Sequence, residues 1–244
     1  MNSKKLENLM VSYRDLLKVK TVENHEELFQ VRDIPGGYIP IMSDMRKISG
    51  NSIWVRKSVE KRLSKAQALV RKNNPGLSLY ITYGFRSIEI QTRRFLERLF
   101  THSDTFFSDP YELYEKIHRS VAVPTVAGHP TGGAVDVMLV EARNNKPIDF
   151  GSAIYDYQNL KYYVFSDEIT NEQMKYRKLL RKIMMEAGFA PYDGEWWHFS
   201  YGDREWAFYY KKPCAVYEQL VYPFSTSQNR GPALSQASRC SSGS

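Results

Sequence analysis

The chain has 244 residues, 42% hydrophobic and 25% charged, which suffices for one sizeable globular domain. Its formal charge of +7 is spread over Lys and Arg interleaved with Glu, and no nucleic-acid-binding motif accompanies it. Two cysteines exclude a disulfide-dense scaffold and a Cys-based metal site, and no window offers the ~18 apolar residues of a membrane span.

The N-terminus, MNSKKLENLMVSYRDLLKVK, lacks the uninterrupted apolar run of a signal peptide, so a cytoplasmic protein is expected. Leu6, Leu9, Met10, Tyr13, Leu16 and Leu17 share one helical face over residues 1–20. Residues 22–49, with Pro35-Gly36-Gly37, read as loop with short extended pieces. Val55, Val59, Leu63, Ala66 and Val70 then mark a helix that Asn73-Asn74-Pro75-Gly76 stops. Its dense basic residues, Arg56 to Lys72, fit a solvated helix face better than a nucleic-acid patch.

Leu77 to Tyr83 alternates as a strand, Gly84-Phe85-Arg86 turns the chain, and Ser87 caps a helix to about His102. A short helix from Pro110, a Pro- and Gly-rich loop over 123–133 and a strand over Ala134–Val140 follow. Thr170 or Asn171 opens a helix with Tyr176, Leu179, Leu180, Ile183, Met184 and Ala187 on its apolar face, closed by Gly188. Strands are expected over 194–201 and 206–210, and a disordered polar tail from residue 225. The pattern predicts an α+β fold: one domain over 1–224, including an amino-terminal helical arm, with a mainly antiparallel sheet.

Five histidines carry the chemical signal, and His25, His102 and His118 read as packed or solvated residues. His129 lies in G-H-P-T-G-G-A-V-D, where glycines let a loop fold back on the strand that carries Asp136. Alternation puts Asp136 opposite Val135, Val137 and Leu139. A carboxylate in so apolar a strand needs a partner or a metal, or else serves loop amides. Glu195-Trp196-Trp197-His198 sets a carboxylate and an imidazole three residues apart, and both reach one site only if the strand bends or bulges. Two His and one Asp match the three N/O ligands that hydrolytic zinc takes. Glu195 is then placed as general base, and Arg86 is either an oxyanion-stabilising charge or a surface loop residue.

These motifs together resemble the zinc D-alanyl-D-alanine dipeptidases. H-x-x-G-x-A-x-D at His129, Gly132, Ala134 and Asp136, then E-W-W-H at 195–198, carry the likeness, and Y-G-F-R at 83–86 resembles the family's G-Y-R turn. The likeness spans roughly residues 53–210. It implies His129, Asp136 and His198 as ligands of one zinc, Glu195 as general base and Arg86 as stabiliser of the tetrahedral intermediate. It also implies a zinc cleft beside a central antiparallel sheet, and cytoplasmic hydrolysis of a small D,D-dipeptide, free D-Ala-D-Ala, with no nucleic acid or membrane partner.

Two departures bear on substrate. Serines that precede the first His in the vancomycin-resistance enzymes are here Ala127 and Gly128. The segment Gly151 to Asp156 resembles the family's G-[ST]-x-F-D but is one residue longer, and by that match Asp156 would contact the substrate amine. Competing readings are a D,D- or L,D-carboxypeptidase or endolysin cutting cell-wall peptides, and a zinc-containing binding module without catalysis.

Overall fold

A computed structural model describes residues 10–39, 42–102 and 109–220. Much of the expected amino-terminal helix and all of the expected tail lie outside them. In chain order the elements are α1 (Tyr13–Lys18), β1 (Leu28–Gln30), α2 (Arg46–Ser49), β2 (Trp54–Arg56), α3 (Lys57–Asn73), β3 (Leu77–Tyr83), α4 (Ile88–Phe100), α5 (Pro110–His118), β4 (Ala134–Glu141), α6 (Asn171–Glu186), β5 (Ala190–Pro191), β6 (His198–Ser200) and α7 (Arg204–Tyr209). Single 3-10 turns occupy Pro124–Val126, His129–Thr131 and Leu160–Tyr162.

The main sheet runs β3-β4-β6-β5, antiparallel throughout, beside a two-stranded β1-β2 ribbon. Helices α3 and α6 cover one face: Val59, Leu63, Ala66 and Val70 from the first meet Leu180, Ile183 and Met184 from the second. Val135, Val137 and Leu139 of β4 enter that core fully buried. A smaller cluster joins Tyr13 and Leu16 of α1 to Phe95 of α4 and Ile117 of α5.

The antiparallel α+β expectation holds, and most helix boundaries follow their caps. Ser87 accepts from the Ile90 amide at the head of α4, and Thr170 with Gln173 forms a reciprocal capping box on α6. Two expected strands differ. Residues 194–197 form a turn, with the Glu195 amide donating to Tyr192 O, so β6 starts only at His198. The stretch expected as a strand over 206–210 is helical. Asp203 caps α7 by accepting from the Trp206 amide, and that local bond outweighs the strand preference of Trp206, Phe208, Tyr209 and Tyr210. No helix among the described residues is long and apolar enough to cross a membrane.

Candidate metal centre and active site

Register brings the chemistry together. On β4, Asp136 pairs across the sheet with His198 of β6 on one side and with Tyr83 of β3 on the other. A bulge between Ile81 and Tyr83 leaves Thr82 unpaired, and its hydroxyl donates to Asp136 O at 3.1 Å. Just past Tyr83, the turn over 84–86 and the loop around His129 bond to each other. The Arg86 amide donates to His129 O, and His129 Nδ1–H donates to Gly84 O at 2.7 Å. Gly132, at φ +73°, then turns the chain back into β4 in a conformation that favours glycine.

His129, Asp136 and His198 are all buried, and one ligand atom from each lies within 4.8 Å of the others. His129 Nε2 is 3.2 Å from Asp136 Oδ2, and His198 Nδ1 is 3.0 Å from Asp136 Oδ1. Zinc bonds of ~2.0–2.1 Å in tetrahedral geometry would separate ligand atoms by about 3.3 Å, and each histidine stands near that distance from one of the two Asp136 oxygens. The donor chemistry fits a cation as well. Gly84 O can only accept, so the proton of a neutral His129 sits on Nδ1 and the Nε2 lone pair faces a carboxylate. Burial pushes the His129 pKa down to about 4, so at neutral pH its ring is neutral and this lone pair is free for a cation. Burial alone would raise Asp136, but the two histidines outweigh it and hold the carboxyl below its ordinary range.

Glu195 reaches the same point from the turn before β6. Its Oε1 accepts from the Tyr157 hydroxyl at 2.6 Å, while Oε2 lies 4.0 Å from His198 Nδ1. Burial pushes this carboxyl up to about 7, where a general base can both take and return a proton. Arg86 is 7% exposed, with its guanidinium 4.6 Å over the Tyr83 ring. Gln91, one turn into α4, fixes it: Oε1 accepts from Arg86 Nη1 at 2.7 Å while Nε2 donates to Ala122 O.

All five of these residues line one cavity of about 450 Å³. Asp156 does not. Its carboxylate accepts from the Gln158 amide, and its neighbours Tyr155 and Tyr157 face the cavity instead. Tyr155, at φ +65°, donates to Asp136 Oδ2 at 2.7 Å. The loop carrying both tyrosines is clamped by the buried Arg177 of α6, which donates to Phe150 O at 2.7 Å and to Tyr163 O. Phe150 in turn stacks on Trp196 at 4.1 Å.

Tyr155, Tyr157, Gln91 and, at the head of α7, Glu205 line the cavity too, and no motif in the sequence marks them. The tyrosines flank Asp156, so the segment itself was visible although its inward side chains were not. His118, expected as a packed residue, is buried and also lines the cavity, with Nδ1 accepting from the Val123 amide.

Residues 43–219 match the profile of the D-ala-D-ala dipeptidase family. A D-alanyl-D-alanine dipeptidase of Synechocystis sp. is 27% identical over 212 residues, covering 77% of this chain and 84% of the relative. One from Enterococcus faecalis is 30% identical over 77 residues, 32% of this chain and 38% of the relative. Among solved structures, the LdcB LD-carboxypeptidase aligns at TM-score 0.46 and 18% identity, over 78% of this chain and 80% of that one. The D,D-dipeptidase VanXYg aligns at TM-score 0.36 and 19% identity, over 80% and 67%.

Proposed function

Because the chain belongs to the D-ala-D-ala dipeptidase family and is a zinc metallopeptidase, we propose that it hydrolyses free D-alanyl-D-alanine to two D-alanines. The convergence of His129, Asp136 and His198 beside a separately held Glu195 carries this reading. His129 Nε2, His198 Nδ1 and an Asp136 oxygen would hold the zinc. When bound, zinc supplies Lewis acidity, lowering the pKa of water and polarising the scissile carbonyl.

The protein's own groups then move the protons. Tyr157 fixes Glu195 through Oε1, which leaves Oε2 to take a proton from the attacking water. The water oxygen bonds to the carbonyl carbon, and Glu195 passes the proton to the amide nitrogen as the C–N bond breaks. Arg86, held in place by Gln91, sets a fixed positive charge toward the oxygen on which negative charge develops.

A second reading, a carboxypeptidase acting on acylated D-Ala-D-Ala ends, is favoured by one observation. Asp156, the carboxylate that the family likeness offers to a free amine, lies outside the cavity. Released D-Ala, measured with D-Ala-D-Ala and with its N-acetyl form and repeated with a chelator, separates the two. Chelator-sensitive cleavage of the free dipeptide alone is expected. Cleavage of the acetylated form selects the carboxypeptidase, and cleavage of neither overturns both.

A further inference from the structure

The two candidate histidine ligands are supported from behind in different ways. His129 turns its second ring nitrogen to a neutral acceptor, Gly84 O. His198 faces Asp136 through Nδ1, so Nε2 is left on the far side of its ring. Nε2 is buried with no full hydrogen bond, and Glu205 Oε2 stands 3.4 Å from it. The Glu205 side chain is only 11% exposed, and among the described residues His198 is the one basic side chain within ion-pair distance of it. A carboxylate taken so far out of water needs a partner. The head of α7 sets it there, two residues past the Asp203 cap and seven residues beyond the histidine it faces.

We infer that Glu205 is a positioning residue for the metal centre: it receives the Nε2–H of His198, fixes the tautomer that presents Nδ1, and raises the basicity of that ligand. A carboxylate behind a ligating imidazole does this generally, and losing one costs ~10–100-fold in metal affinity. The inference rests on the zinc-ligand reading above and extends it to a cavity-lining residue outside the proposed ligand set.

The test compares Glu205→Ala and Glu205→Gln with the parent in the full chain. Zinc affinity is read by competition with a chromophoric chelator, and the visible spectrum of the cobalt-substituted protein reports the ligand field. Glu205→Ala is expected to weaken zinc binding by about 10–100-fold and to shift the cobalt bands. Glu205→Gln keeps an acceptor oxygen without the charge and is expected to fall between Ala and the parent. Melting of the apo forms checks folding, and if the Ala variant fails to fold, the Gln variant carries the test alone. Unchanged zinc affinity and cobalt spectrum in a folded variant would overturn the inference. So would a rise in KM for the free dipeptide alone at full zinc affinity, which would make Glu205 an amine-binding group. His198→Ala, measured alongside, separates the two levels. If it keeps stoichiometric zinc, the ligand reading fails. If it loses zinc while Glu205→Ala keeps it, only the present inference falls.

Discussion

Glu195 and Tyr157 show how a single hydrogen bond divides labour within one carboxylate. The 2.6 Å bond from Tyr157 occupies Oε1 and leaves Oε2 on the side of His198. Glu195→Gln keeps the shape and removes the proton acceptor. It is expected to retain stoichiometric zinc and to lose about 10²–10⁴-fold in kcat. Metal analysis beside turnover checks this, and full turnover would remove Glu195 from the mechanism. Tyr157→Phe removes one bond to a charged group, worth ~1.5–3 kcal/mol. A fall in kcat of about 10–100-fold is expected, with zinc content unchanged. Loss of zinc from this variant would mean that Tyr157 supports the ligands and not the base.

Among the elements, the turn after β3 carries two duties. Gly84 O receives His129 Nδ1–H, and the adjacent Phe85 amide donates to Trp54 O, tying the turn to β2. A Cβ at Gly84 would sit 2.5 Å from Trp54 O and 2.8 Å from Ile53 Cγ2, so backbone would have to shift. Gly84→Ala is therefore expected to lower both the melting temperature and zinc affinity, whereas Gly76→Ala, with no atom within 4 Å of its Cβ, serves as the silent control. Parallel thermal melts and zinc titrations decide the matter. Arg177 does for the tyrosine loop what Gly84 does for His129. Arg177→Ala leaves the buried Phe150 carbonyl without its donor, at ~1–3 kcal/mol, while Tyr163 O keeps the Ser166 amide. Lower stability in denaturant and slower turnover are expected together. Loss of stability with untouched kcat would show that the loop holds its shape without the clamp.

The legible parts of the sequence were those with a local cause. The Asn-Asn-Pro-Gly stop, the Ser87 and Thr170 caps and the alternation around Asp136 each act within a few residues, and each appears in the structure. His129, Asp136 and His198 were legible because two dense motifs carried them. Glu205 was not: it stands just before the aromatic run 206–210 that reads as strand, and six residues of α7 give too little helical periodicity to correct that. Gln91 looked like any polar helix position, since its partners Arg86 and Ala122 come from outside its own helix.

At the scale of the whole molecule, the described chain closes around one main core, with the candidate centre at the end of β3, β4 and β6. Zinc that binds the folded form alone adds stability by mass action, ~2.7 kcal/mol at a hundredfold excess over Kd. Chelation is therefore expected to lower the melting temperature, with recovery on adding zinc. The same scan on His198→Ala is expected to show no response to chelator. A melting point indifferent to zinc in the parent would contradict a centre built into the core.

Asp136 and His198 are neighbours across two strands, yet they lie 62 residues apart in the chain. Helix α6, the tyrosine loop and the turn at Glu195 are all strung between them. A growing polypeptide therefore offers an ion only two of the three proposed ligands until nearly all of that intervening structure has been synthesised. On the proposed ligand set, tight capture during synthesis must await His198, the last of the three to emerge.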